Sequence, residues 1–205
     1  MRFSKWAVAV TAVILIASGY RSAEAGLIGM PSMLGKMTKR ISFGNFTLAP
    51  MAFTKFCMRY SDQCKPHPIM FRGGPVQLTE ARWEDLKAVN RSVNASIEVE
   101  VNTEGVVAEK WLINPARGDC NDYAVSKRAE LIKRGWPTRA LLLSEVVTSS
   151  GEGHLILVVR TSVGDLVLDN LTSQIRPWTR APYRWVRLQS PENPNYWASL
   201  GSRSV

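Results

Sequence analysis

Histidine and cysteine are scarce in this chain of 205 residues, which contains two histidines and three cysteines. A catalytic site that needs a thiol and an imidazole can therefore be assigned in only a few ways. Internal repeats and low-complexity segments are also absent, so the chain is not divided into repeated units. After removal of an N-terminal signal, the remaining length suits one ordinary domain with a hydrophobic core.

Acidic residues are in the minority, with 17 acidic against 26 basic residues and a formal net charge of +9. The basic residues are scattered and form no long block, which is typical of a solvated basic surface. Such a surface can attract acidic polymers or anionic membranes. Because the N-terminus indicates export, as described next, we expect no nucleic acid among the partners.

The N-terminus has the pattern of a secretory signal peptide over residues 1–25. Basic residues precede an almost wholly apolar stretch over 6–18, and Ala23-Glu24-Ala25 is a small-x-small cleavage site. The apolar stretch is short for a membrane span, and a retained N-terminal anchor is the alternative interpretation. No cysteine follows the cleavage point, which argues against a lipoprotein. We therefore expect a periplasmic protein, with secretion as the alternative.

Three cysteines in an oxidising compartment indicate one disulfide and one unpaired thiol. Cys57 and Cys64 are separated by a short, polar, turn-prone stretch. A disulfide between them closes that loop at low entropic cost, and Cys120 is then unpaired. An unpaired cysteine in this compartment is either buried and inert or functional. Pairing of Cys120 with either of the other two cysteines is the alternative, and it would abolish a nucleophile at that position.

The order of predicted elements indicates an α+β fold, with helices first and an antiparallel meander afterwards. We divide the chain into a signal peptide (1–25), an N-terminal arm with the disulfide-stapled loop (26–76), a core (77–189) and a Pro/Asn/Ser-rich tail lying over the surface (190–205). Within these segments we predict a short strand or irregular structure at 43–56, helices at 80–97 and 120–134, a loop at 102–109, and extended runs at 139–147, 154–160, 165–169 and 183–188. Thr79 is the predicted cap of the first helix, and Gly135 is predicted to end the second.

Cys120 is predicted at the start of the second core helix, directly after Asp119, an acceptable N-cap residue. Free backbone N–H groups and the helix dipole stabilise a thiolate there. Asp119 and Asp122 act in the opposite direction, because neighbouring negative charge raises the pKa of a thiol. A histidine cation would have to outweigh them. Taken alone, a cysteine on an amphipathic helix is more often a small buried residue.

His154 opens an apolar strand, and Asp169 closes the next one. If residues 161–164 form a hairpin loop, Arg160 pairs with Asp165, and Asp169 becomes the diagonal neighbour of His154 on one sheet face. Diagonal neighbours lie roughly 7–8 Å apart at Cα, within reach of a side-chain hydrogen bond. Any loop with an even number of residues preserves this relation. The sheet then presents a base and its orienting carboxylate, as nucleophilic catalysis by a thiol requires.

Three segments of the chain resemble the bacterial transglutaminase-like cysteine peptidases, the group that contains the LapG-type periplasmic proteases that release biofilm adhesins. These segments are Gly118-Asp119-Cys120-Asn121-Asp122-Tyr123, His154-Leu155-Ile156-Leu157 and Val167-Leu168-Asp169-Asn170-Leu171. The resemblance covers most of the mature domain and includes the helix that contains Trp83 and Leu86. It implies a papain-like core of transglutaminase topology, in which N-terminal helices pack on an antiparallel sheet.

The resemblance also implies the chemistry. Cys120 is then the nucleophile, His154 the general base and Asp169 the orienting carboxylate of an exported cysteine endopeptidase. Its substrate would be an exported or surface protein such as a large adhesin, and an inner-membrane regulatory protein is a further candidate partner. We expect a monomer. A transamidase, or a catalytically idle binding or scaffold module of the same fold, are the alternatives.

LapG-type enzymes typically carry an Asp-Cys-Glu-Asp run whose carboxylates hold a calcium ion beside the nucleophile. Asn121 stands in place of that Glu here, which leaves Asp119 and Asp122. Calcium affinity rises with the number of carboxylate ligands. The sequence therefore predicts at most a weak calcium site at Asp119, Asn121 and Asp122, and no cofactor required for activity. The alternative is that the two aspartates only cap the helix.

Overall fold

The structure, a computed structural model, describes residues 40–65, 75–102 and 105–200. The predicted signal peptide (1–25) lies outside these residues, and export stays a prediction. Within the described ranges, none of the helices has the length and apolar character needed to cross a membrane.

Three helices of two or more turns and one single-turn helix are present in the described part of the chain. They are α1 (Met51–Arg59), α2 (Glu80–Ser96), α3 (Gly105–Ala108) and α4 (Cys120–Lys133). As predicted, Thr79 caps α2, and its hydroxyl accepts the Arg82 N–H at 3.3 Å. Gly135 follows α4 with φ +77°, a left-handed conformation that suits glycine and ends the helix.

The strands form a seven-stranded antiparallel sheet and a separate parallel pair. The strands are β1 (Phe46–Thr47), β2 (Glu98–Val99), β3 (Arg117–Gly118), β4 (Leu141–Val147), β5 (Gly153–Thr161), β6 (Gly164–Leu168), β7 (Arg176–Pro177), β8 (Arg184–Gln189) and β9 (Trp197–Ser199). The large sheet has the order β1-β9-β8-β4-β5-β6-β7, and β2 pairs with β3. The predicted α+β class is confirmed.

The β5–β6 hairpin has the register that the sequence predicts. Arg160 pairs with Asp165, and Leu157 pairs with Leu168. The loop is shorter than expected, because Thr161 and Gly164 also pair and leave two residues between the strands. Two and four are both even numbers, so the facing relation of His154 and Asp169 is unchanged.

Side chains alternate between two hydrophobic cores along β5. Leu155 and Leu157 belong to the main core, which the sheet forms with α1, α2 and α4, whereas Ile156 and Val158 belong to a smaller core on the opposite face. By this alternation His154 lies on the face turned away from α4. The helix that carries Cys120 therefore packs on one side of the strand, and the imidazole belongs to the other.

The predicted disulfide is confirmed, since Cys57 and Cys64 are bonded with their Cα atoms 5.6 Å apart. Cys120 is a free cysteine. The bond closes the short connection after α1 and thereby ties the end of this helix in place.

Three local predictions are wrong. The region predicted as irregular or strand contains α1, because Phe53 and Phe56 bury one face of a helix in the main core. The loop predicted at 102–109 contains the single-turn α3. The tail does not lie over the surface at β9, where Trp197 is 1% exposed and packs against Phe53, with ring centroids 5.4 Å apart. For α1 and for the tail, long-range packing of aromatic rings outweighs local composition.

Candidate active site

The start of α4 is built by a reciprocal capping box. Asp119 accepts the Asn121 N–H at 2.9 Å, and Asp122 accepts the Asp119 N–H at 3.1 Å. The second oxygen of Asp122 accepts the Leu112 N–H at 2.7 Å. Glycine is needed at 118, since a Cβ there would lie 2.2 Å from Asp122 Oδ2. These contacts explain why the Gly-Asp-Cys-Asn-Asp run folds as a sharp helix start.

Cys120 occupies the first position of α4, and its sulfur lies against the beginning of β5. The backbone N–H groups of Leu155 and Asn121 act on the sulfur. Burial raises the pKa of the thiol to about 12, with further increases from the charges of Asp119 and Glu109, while the two N–H groups act to lower it. The Cys120 thiol is therefore protonated at neutral pH.

Glu109 is, with Asp119, a carboxylate whose charge acts on Cys120, and sequence reasoning missed it. It accepts hydrogen bonds from the Trp111 indole N–H, at 3.3 Å, and from the Asn121 amide. Burial raises the pKa of its carboxyl group, and the hydrogen bond from Trp111 acts to lower it. It lies just after α3, in a segment predicted as a loop, where no sequence pattern connects it with Asn121.

His154 and Asp169 form the predicted pair. His154 is 6% exposed and Asp169 is 3% exposed, and His154 Nε2 lies 2.9 Å from Asp169 Oδ1. The same Oδ1 accepts the Leu171 N–H at 3.0 Å, and the Asp169 carbonyl accepts the Asn94 amide at 2.9 Å. Although burial acts to raise the pKa of Asp169, hydrogen bonds from His154, Tyr183 and Leu171 outweigh it and lower that pKa.

The contact with Asp169 decides the tautomer of His154. An ionised carboxylate only accepts hydrogen bonds, so the neutral imidazole carries its proton on Nε2. Nδ1 is then left with a free lone pair that can take a proton from a thiol. This arrangement is that of a base held in its reactive tautomer by a buried carboxylate.

Tyr183 contacts Asp169 and Lys127 responds to its charge, and sequence reasoning missed both residues. The hydroxyl of Tyr183 donates a hydrogen bond to Asp169 Oδ2. Lys127, two turns after Cys120 on α4, is 1% exposed. Burial lowers the pKa of Lys127 to about 7, whereas the negative charge of Asp169 acts to raise it. The buried carboxylate thus has a histidine and a tyrosine as side-chain donors, and its charge acts on a buried lysine.

The residues predicted to hold calcium do not form a cage for the ion in this arrangement. Both Asp122 oxygens accept backbone N–H groups, one Asp119 oxygen caps the helix, and the Asn121 amide donates to Glu109. Over the three described ranges, no group of three or more His, Cys, Asp or Glu side chains is placed to hold a metal. The two aspartates cap the helix in this structure, and a calcium site at Asp119, Asn121 and Asp122 stays a prediction.

Comparison with protein families decides the class of this site. The model of the bacterial transglutaminase-like cysteine proteinases matches residues 43–205. The chain belongs to this family. It is therefore a transglutaminase-like cysteine peptidase and acts on a protein substrate, as the three segments around Cys120, His154 and Asp169 predict. No curated protein matches the chain significantly in sequence.

Solved structures of Legionella pneumophila LapG are similar to this peptidase. The calcium-bound form has 21% identity and a TM-score of 0.50, with 75% of this chain and 82% of that chain covered. LapG itself has 21% identity, covers 72% and 76%, and has a TM-score of 0.48. The EGTA-treated form has 19% identity, covers 75% and 78%, and has a TM-score of 0.47. At these identities the likeness concerns the fold, which is transglutaminase-like.

Proposed function

We propose that this peptidase cleaves an exported or surface protein by acyl transfer to Cys120, with His154 as the base and Asp169 as its orienting group. The observation that carries the proposal is the buried His154–Asp169 hydrogen bond of 2.9 Å. His154 directly precedes Leu155, whose backbone N–H acts on the Cys120 sulfur. Both groups are thus placed at the first residues of β5, and the proposal is that the thiol and the imidazole meet there.

In the proposed acylation step, His154 Nδ1 takes the thiol proton while the sulfur attacks the peptide carbonyl carbon. The C–S bond forms, and the carbonyl oxygen becomes an oxyanion. The Cys120 N–H, which lies at the helix start and has no intrahelical acceptor, is placed to donate to that oxyanion. His154 then protonates the leaving amine as the C–N bond breaks, which leaves a thioester.

In the proposed deacylation step, His154 takes a proton from water as the water oxygen attacks the thioester. The C–S bond breaks, the acid product leaves, and the proton returns to the sulfur. Because the resting thiol has a pKa of about 12, proton transfer accompanies attack and no thiolate is stored beforehand. In this proposal, His154 and Asp169, which form the sheet half of the site, supply most of the activation of the Cys120 thiol.

The biological setting follows from the sequence. The signal pattern over 1–25 supports a periplasmic location, with secretion as the alternative, and the family resemblance supports a large surface adhesin as substrate. An inner-membrane regulator is the partner that a releasing protease of this kind would need. A calcium-bound relative supports a calcium site near Asp119, Asn121 and Asp122, which we expect to be weak because Asn121 carries no charge.

The test compares surface proteins from cells that produce the wild type or Cys120→Ala. New N-termini in exported proteins should appear with the wild type alone, while both proteins melt at similar temperatures, since removal of one sulfur at a helix start leaves little cavity. Isopeptide cross-links without new N-termini would indicate a transamidase instead. Cleavage that persists with Cys120→Ala would overturn the assignment, and the absence of any Cys120-dependent product would favour an idle module.

A further inference from the structure

We propose that Tyr183 is a positioning residue of this site, whose hydroxyl and ring hold Asp169 and His154 in the arrangement that acyl transfer requires. The inference rests on the proposed triad. It adds a group that neither the motif nor the family match assigns.

The two oxygens of Asp169 have separate donors. Oδ1 accepts from His154 Nε2 at 2.9 Å and from the Leu171 N–H at 3.0 Å. Oδ2 accepts from the Tyr183 hydroxyl. Because Asp169 is buried, loss of the hydroxyl would leave Oδ2 without a side-chain donor in a place where water is scarce. The Tyr183 hydroxyl therefore completes the coordination of the carboxylate that orients the base.

The ring of Tyr183 also contacts the base itself. Its centroid lies 5.6 Å from that of the His154 ring, with an interplanar angle of 51°. The backbone of β8 is positioned by strand pairing. Trp185 of β8 and His154 of β5 both pair with Val146 of β4, from opposite sides. Tyr183 lies just before β8, so strand register brings it to the imidazole. One side chain thus contacts both members of the pair.

The groups around Asp169 determine the protonation states of Asp169 and Tyr183. His154 of β5 contacts the carboxylate, the charge of Asp169 acts on Lys127 of α4, and the charge of Arg176 of β7 acts on Tyr183. Burial and the Asp169 charge raise the pKa of Tyr183, so its hydroxyl stays a donor at every working pH. Its hydrogen bond helps to keep the pKa of Asp169 low. Without that bond, Asp169 would become protonated at a higher pH and would release His154 there.

The experiment measures the rate at which iodoacetamide alkylates Cys120 in the full protein as a function of pH. Tyr183→Phe keeps the ring and removes the hydroxyl, so the acid side of the profile should move to higher pH, with a rate about tenfold lower there, the size expected for a hydrogen bond to a charged group. Tyr183→Ala also removes the ring and should lower the rate over the entire range.

Tyr196→Phe is the matched control, because this tyrosine is exposed and contacts Phe46 instead of the site. Its profile should equal that of the wild type. A Tyr183→Phe profile equal to the wild type would overturn the inference, and so would a uniform loss at all pH values with a lower melting temperature, which would show structural support alone.

A second variant keeps the test decisive if Tyr183→Phe does not fold. 3-Fluorotyrosine in place of Tyr183 retains the ring and makes the hydroxyl a stronger donor, so the acid side of the profile should move to lower pH. An unchanged profile would contradict the proposal. Failure of the triad itself is distinguishable: alkylation of the wild type would then be no faster than that of His154→Ala at any pH.

Discussion

The two halves of the site differ in how they treat charge. On the sheet, the Asp169 carboxylate accepts hydrogen bonds from His154, Tyr183 and Leu171, and its pKa is lowered. At the start of α4, the Cys120 thiol is buried beside Asp119 and Glu109, and its pKa is raised to about 12. One half is organised for a charged group and the other keeps its group neutral.

This difference shows where activation of the nucleophile originates. A helix start favours an anion, but the dipole contributes typically 0.3–1 kcal/mol, which is less than the combined effect of burial and two nearby carboxylates. The peptide backbone therefore does not make the thiolate by itself. In the proposed mechanism, His154, oriented by Asp169, removes the proton, so changes at these two residues should affect activity more than changes in the residues that cap α4.

Among variants that keep Cys120 and His154, the largest effect is expected from Asp169→Asn. The amide cannot stabilise the imidazolium or select the same tautomer, so cleavage of the substrate should fall by about 10²–10⁴-fold while the fold is retained. Asp165→Asn is the matched control in the same hairpin. That carboxylate is also buried but pairs with Arg160, 3.4 Å away, and accepts the Ile41 N–H at 2.8 Å. Asp165→Asn should reduce stability and leave turnover intact. Loss of turnover in Asp165→Asn, with turnover retained in Asp169→Asn, would refute the assignment.

Gly118→Ala tests the capping box of the helix half. The new Cβ would lie 2.2 Å from Asp122 Oδ2, so Asp122 must move and its contacts with the Asp119 and Leu112 N–H groups weaken. We expect a loss of about 2 kcal/mol in the free energy of unfolding, measured by denaturant titration. Gly153→Ala is the control, because its Cβ would meet nothing within 4 Å. Equal stabilities of the two variants would contradict this account.

Glu109→Gln should lower the pKa of the Cys120 thiol and so reduce the electrostatic difference between the two halves of the site. It removes a negative charge that raises the pKa of Cys120, and its amide oxygen can still accept from Asn121. A lower thiol pKa means more thiolate at a given pH, so alkylation of Cys120 near neutral pH should become severalfold faster. The exposed Glu192→Gln should leave the rate unchanged. A slower reaction in Glu109→Gln would show that this carboxylate assists the nucleophile.

Chelation should have the smallest effect. With Asn121 uncharged and both Asp122 oxygens engaged by backbone N–H groups, EGTA should leave most of the activity intact. Calorimetric titration with calcium, and turnover before and after EGTA, provide the measurement. Micromolar affinity, or activity lost in EGTA and restored by calcium, would show that the Asp119, Asn121 and Asp122 segment rearranges into a binding site.

The parts of the site that sequence reasoning predicted are those that depend on short-range rules. The register of β5 and β6 follows from side-chain alternation and an even hairpin loop, and it places Asp169 beside His154. The cap at Thr79 and the glycine that ends α4 follow from local backbone requirements. These rules act over a few residues, so a single sequence is enough to apply them.

By itself, the sequence determined the residue types, their order, the disulfide loop and the pairing of His154 with Asp169. Only the tertiary structure decided that Tyr183 completes the carboxylate, that Glu109 lies beside Cys120, and that Trp197 returns the tail to the core. Each of these contacts joins segments whose separation along the chain has no fixed relation to their distance in space. They depend on how the helices pack and how the strands are ordered in the sheet, and local patterns carry no information about either.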